Sequence, residues 1–224
     1  MTLDIFRKGL DKYYEKYFSD EEIKRRLKRL EKNKKNPVSF KGLLHKNELT
    51  VDELEDSAIR TYGSLLQEAG NDYANTMLNI KKPMKKNIMS IRIDILFKIK
   101  SIIYNLESKI NINLDSGKSV ETKKNLTTKD KAVKNGYQCE TNNLKVVSKV
   151  LVWTSNNKKT AAEIAKFPLS EKDLMGSEDF FELFGQNIKH DDFTDIIIKD
   201  YHEKIMPRFK KAIEEYNQKK ESII

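Results

Sequence analysis

The chain reads as an all-α protein built from a few long helices, and three observations lead there. Glycine (8) and proline (4) are scarce in 224 residues, whereas turns between many short strands draw heavily on both. Apolar residues recur at intervals of three and four through most of the sequence. A helix start is also written out at Thr50-Val51-Asp52-Glu53. There the Thr50 hydroxyl can accept from the Glu53 amide while the Glu53 side chain reaches back, with Leu49 and Leu54 set as a hydrophobic staple.

Taken in order, residues 1–36 form a basic amphipathic N-terminal helix region. Leu3, Phe6, Leu10, Tyr13, Tyr14, Tyr17 and Phe18 make its apolar face, Arg7, Lys8, Lys12 and Lys16 lie between them, and Ile23, Leu27 and Leu30 continue it toward Pro37. Residues 50–114 form a long kinked helical core. Its stripe runs from Leu54 through Ala58, Tyr62, Leu65, Ala69 and Tyr73 to Ile80, and Pro83 kinks or ends the helix by removing a backbone bond. Beyond it Ile88, Ile91, Ile95, Ile99, Ile102, Leu106 and Ile110 recur with a mean period of about 3.67, which suits a nearly straight packed helix. Residues 115–137 form a lysine-rich tip or loop. Residues 138–220 complete the chain as C-terminal helices, the last running from about 191 to 220 with Phe193, Ile197, Tyr201, Ile205, Phe209, Ile213 and Tyr216 on one face and Pro207 within it.

Catalytic signatures are missing. A single cysteine, Cys139, excludes an internal disulfide and a cysteine-based zinc site. His45, His190 and His202 are far apart, and His190-Asp191-Asp192 reads as a helix start, because adjacent helical residues point apart. No HExxH, GxxxxGK[ST] or GxSxG occurs. Asp94 and Glu107 read as partners of nearby lysines. The expectation is a protein that is not an enzyme, with no metal and no cofactor. No run approaches the roughly 18 apolar residues of a membrane span, and the first residues lack a secretory apolar core, so the expected location is cytoplasmic.

Charge supplies the functional expectation. The net +9 is uneven: residues 51–80 carry one basic against six acidic residues, residues 81–135 fourteen against five. Attraction to a polyanion is therefore expected in the middle of the chain. Its candidate contacts are Lys81, Lys82, Lys85 and Lys86 around Pro83, then Lys118, Lys123, Lys124, Lys129 and Lys131. Leu3, Phe6 and Leu10 beside Arg7 and Lys8 form a candidate membrane-insertion face. An AT-biased genome would also enrich lysine, asparagine and isoleucine together.

Ala58-Ile59-Arg60, Gly70-Asn71-Asp72-Tyr73, Pro83 after Ile80, Leu106-Glu107-Ser108-Lys109, and Leu114-Asp115 followed by Lys118, Lys123 and Lys124 resemble the centre of a BAR domain of the endophilin and amphiphysin type. Asp200-Tyr201-His202-Glu203 resembles the last helix of that family. Pro37, Gly42 and the stretch from Trp153 to Pro168 depart from its pattern. The resemblance implies long kinked antiparallel helices in a dimeric helical bundle, a peripheral module that binds anionic membranes and senses or shapes curvature, and a homodimer. A helical nucleic-acid-binding accessory protein is the alternative use of the same lysines, and a structural adaptor without a polyanion ligand is the second.

Overall fold

The structure is a computed structural model that describes residues 2–35, 51–110, 116–165 and 167–221. The chain forms two compact units, the first made of Met1–Leu10 and Leu66–Asp195, the second of Asp11–Leu65 and Ile196–Ile224. The expected all-α bundle is overturned: the first unit is mixed α/β around a four-stranded sheet. The BAR-type bundle of long helices and its coiled-coil character go with it, because Ile88–Ile110, the supposed long helix, folds as strands.

The elements are α1 (Thr2–Phe18), α2 (Asp20–Lys35), α3 (Val51–Met77), β1 (Asn87–Ile88), β2 (Ile91–Arg92), β3 (Ile95–Ile99), β4 (Ile102–Lys109) and α4 (Ser116–Gly136). They continue with β5 (Lys145–Val152), α5 (Lys158–Ile164), a short 3₁₀ turn, β6 (Leu174–Gly176), α6 (Ser177–Glu182), α7 (His190–Asp200), a π turn (Tyr201–Ile205) and α8 (Met206–Glu221). Helix α4 stands where a tip or loop was expected, and β5 and β6 lie within the expected C-terminal helices. The staple residue Leu49 and the cap residue Thr50 lie outside the described residues.

Strand sequences explain the change. ILFKI, IIYNLESK and KVVSKVLV are dense in β-branched and aromatic side chains, which pack well on a pleated surface. Their turns avoid glycine. Met89 and Ser90 both take positive φ between β1 and β2, and Lys100 does so between β3 and β4, so tight hairpins form without the glycine, asparagine or aspartate that usually supplies that conformation. Strand β3 pairs antiparallel with β4, β4 parallel with β5, and β5 parallel with β6.

Alternation assigns the two faces. One carries Ile95, Phe97 and Tyr104, with Phe97 stacked on Tyr104 at 5.2 Å. Phe6 from α1, Tyr73 from α3, Phe180 and Phe181 from α6, Phe193 from α7 and Trp153 form an aromatic core on this side. Helix α3 lies close because residue 70 is glycine: a Cβ there would meet Ile95 at 3.0 Å and Trp153 at 3.1 Å. The opposite face carries Leu96, Ile103, Val150 and Val152, and α4 and α5 cover it with Leu126, Ala132, Val133 and Ala161.

The second unit is helical in its described residues. Tyr14 and Tyr62 share a hydrogen bond of 2.9 Å, Phe18 packs on Phe209, and Arg208 donates to Glu15 and to the Phe18 carbonyl. The π turn answers Pro207. The Met206 amide bonds back to the Tyr201 carbonyl, widening the helix just before the ring that has no N–H to give.

Phe6 is 1% exposed and Leu10 is fully buried, so both sit in packing positions, with Leu3 half-buried beside them. Phe6→Ala should therefore lose about 3–5 kcal/mol of stability. Urea unfolding measures this, and a loss under 1 kcal/mol would contradict the placement.

Candidate functional site

An antiparallel pair places residues opposite one another in fixed register. The β3–β4 ladder matches Ile95 with Leu106, so the preceding Asp94 stands across from Glu107. Glu107 and Lys109 are two apart on β4 and therefore share a face. Helix α4 crosses that face and lowers Lys129 onto it.

The resulting cluster is tightly connected. The Lys129 ammonium bonds Asp94 Oδ1 at 3.2 Å and also Glu107 Oε2. The Lys109 ammonium lies 2.8 Å from Glu107 Oε1. The Ser108 amide donates to Asp94 Oδ2 at 3.0 Å. The Glu107 side chain is 6% exposed, Lys129 13% and Asp94 17%, so water screens these charges poorly.

The Asp94 main chain is fixed from the other side of the sheet. Asn71 on α3 donates to the Asp94 carbonyl at 2.6 Å and accepts from the Leu96 amide, and Gln67 donates to the same carbonyl at 3.3 Å. Trp153 Nε1 donates to Ser108 Oγ at 2.9 Å, tying the residue between Glu107 and Lys109 into the core. The carboxylates are thus held by packed elements on both faces, which is how a preorganised site is built.

Burial and the Glu107 charge together push the Asp94 carboxyl above its usual range, against the pull of Lys129. For Glu107 burial also works upward, but Lys129 and Lys109 outweigh it and hold the group below the usual value. The two neighbouring carboxyls are shifted in opposite directions. Environments that push neighbouring acids apart in this way are common where chemistry is done.

The lysines expected to meet a polyanion divide by placement. Lys81, Lys82 and Lys85 are exposed in the segment after α3, and Lys86 is half-buried. Lys118, Lys124 and Lys131 are exposed on α4, while Lys123 pairs with Asp173 and Lys129 turns into the acidic cluster. Asp94 and Glu107 are indeed lysine partners. Lys109 was missed as a candidate, although Glu107-Ser108-Lys109 was visible as a segment.

Other reactive groups are tied up structurally. Ser177 Oγ lies 2.7 Å from His190 Nδ1, but the serine is fully buried and also bonds the Ser155 carbonyl. His190 starts α7 as expected, with Glu178 accepting from its amide. Cys139 is buried against the Val133 carbonyl, and burial raises its thiol pKa.

Among the described residues, no group of three or more histidine, cysteine, aspartate or glutamate side chains is placed to hold a metal ion, and no helix is long and apolar enough to cross a membrane. No family model, curated protein or solved structure matches the chain.

Lys129 neutralises two acids at once, so its removal leaves Asp94 with a folded-state pKa further above its unfolded value. The penalty is then full above that folded pKa and fades as pH falls through it. Lys129→Met, which keeps the apolar stem, should lose about 3 kcal/mol at pH 8 and less at pH 5. Urea unfolding at the two pH values tests this; a deficit independent of pH would refute shared neutralisation.

Proposed function

We propose that the chain is a divalent-cation-dependent phosphodiesterase acting on nucleic acid. One observation carries the reading: Asp94 and Glu107 face each other across the β3–β4 ladder, both reaching the same point, with Lys109 one pleat further along the same face.

The point on which the two carboxylates converge holds positive charge already, in the Lys129 ammonium. Two carboxylates with oxygens aimed at one cation fit magnesium or manganese, which are bound by one or two carboxylates completed by water and substrate phosphate. A cluster of three acids is not required. Such a cation would polarise a phosphoryl oxygen and lower the pKa of a bound water.

The protein's own groups have separate parts in this reading. Asp94 and Glu107 hold the cation, and Asn71, Gln67 and the Ser108 amide keep Asp94 from turning away. Lys109 faces the same space and opposes the negative charge that builds on the phosphoryl oxygens during hydrolysis. Lys129 is the resident counter-ion of both carboxylates and would have to yield that place to a bound divalent cation.

Nucleic acid is the favoured polyanion because phosphodiesters are the bonds this arrangement suits, and the exposed lysines of α4 offer phosphate contacts on the same unit. The membrane-curvature reading is the less favoured use of the same charge. It drew on a long helix over 88–110 that is strands here, and on Phe6 and Leu10, which lie in packing positions, while its exposed lysines serve either polyanion.

Manganese or magnesium should support cleavage of labelled DNA or RNA, single- or double-stranded, and EDTA should stop it. Asp94→Asn and Glu107→Gln should each abolish cleavage, and Lys109→Ala should slow it about 100-fold. Absence of cation-dependent cleavage on all four polymers, or cleavage that survives Glu107→Gln, would overturn the reading.

A further inference from the structure

A second charged site lies one step up the chain from Asp94. Glu68 on α3, Lys85, Lys86, Asn87 and Arg92 line an open pocket of about 650 Å³. The register explains how they meet. The Ile93 amide bonds the Lys86 carbonyl at 2.8 Å, and Asn87 pairs with Arg92, so the two basic residues flank one short ladder.

The ion pairs inside this pocket are loose. Glu68 lies 3.9 Å from the Lys86 ammonium and 3.8 Å from the Arg92 guanidinium, at the outer limit of an ion pair. The Arg92 side chain is 65% exposed, whereas Glu68 is 18% exposed. The acid therefore sets the direction of the two cations without saturating them. The Arg92 side chain is left mostly in solvent, and a guanidinium is suited to grip phosphate oxygens in pairs.

Position ties the pocket to the carboxylates. Arg92 and Asp94 are two residues apart, with a bend at Asp94, so their backbones lie within about 7 Å of one another, no further than one nucleotide step along a strand. We infer that the Glu68–Lys86–Arg92 pocket binds a backbone phosphate of a single nucleic-acid strand next to the one held at Asp94 and Glu107. This deepens the phosphodiesterase reading and rests on it for the identity of the strand. Lys85 adds a third positive charge at the rim, and Glu68 keeps the arginine aimed when no strand is present.

The test is binding in EDTA, where cleavage plays no part. A fluorescently labelled single-stranded oligonucleotide is titrated against the full chain at several salt concentrations. Lys86→Ala with Arg92→Ala should weaken binding at least tenfold and reduce the slope of log affinity against log salt by about 1.4, the value for two lost phosphate contacts. Lys98→Ala with Lys100→Ala, which removes two cations from the β3–β4 hairpin, should leave binding near wild type. Lys86→Gln with Arg92→Gln repeats the first change with longer side chains should the alanine pair fail to fold. Equal losses from the pocket and hairpin variants would show attraction by net charge alone and overturn the assignment. So would unchanged binding in the pocket variant, or wild-type binding to phosphatidylserine vesicles without binding to the oligonucleotide. A wild type that binds in this way but never cleaves with added cation would sink the phosphodiesterase reading and leave the strand-binding pocket standing.

Discussion

Two carboxylates that meet across neighbouring strands repel, and in a poorly hydrated site that repulsion is severe unless positive charge sits between them. Asp94 and Glu107 are in that situation, and Lys129 resolves it. One ammonium bridging both acids joins β3, β4 and α4 at a single point. The helix that covers this face of the sheet thus carries both the apolar residues that bury it and the charge that makes its acidic end tolerable. Leu126 and Val133 do the first task, and Lys129, between them on the same helix, does the second.

The other layer acts on the backbone. Asn71 satisfies the Asp94 carbonyl and the Leu96 amide at the mouth of β3, where the strand has no outer neighbour to do so. That reach is short, so α3 must lie near the sheet, and Gly70 beside Ile95 and Trp153 permits the approach. An alanine at that position would press on the indole ring that fixes Ser108. Core packing and the position of the carboxylates are therefore one constraint.

The helices of the second unit were legible because their stripes have no competing explanation. Tyr13, Tyr14 and Phe18, or Ile205, Phe209 and Ile213, sit at three- and four-residue spacing in stretches with helix-forming neighbours. The sheet was hidden by coincidence of period. Isoleucines from Ile88 to Ile110 recur as a helix would have them, while Ile93, Ile95, Phe97 and Ile99 alternate beneath that pattern as a strand would. Turn chemistry could have arbitrated, but the hairpins turn at Met89-Ser90 and Lys100, where nothing in the residue types announces a positive φ. The error carried into the site. Residues i and i+2 point apart on a helix and together on a strand, so Glu107 and Lys109 could not be seen as one group until β4 was known to be a strand. Asp94 and Glu107 were recognisable as lysine partners, but that they face each other depends on the hairpin register, which spacing alone does not reveal.

Charge balance gives the proposed chemistry a built-in order. Asp94, Glu107, Lys109 and Lys129 sum to zero, so a divalent cation added to the intact cluster would leave an uncompensated +2 in a site that solvates charge poorly. Departure of Lys129 removes one unit of that excess, and arrival of a phosphodiester removes the other. In the proposed chemistry cation and phosphate would therefore favour each other's binding, and linkage would make the advantage reciprocal. Alone, each faces a cluster already satisfied by the protein's own lysines. Under the proposed function such a site would stay closed by its internal ion pairs and assemble only with both the cation and the strand present. The basic pocket at Lys86 and Arg92 would bring the strand to it.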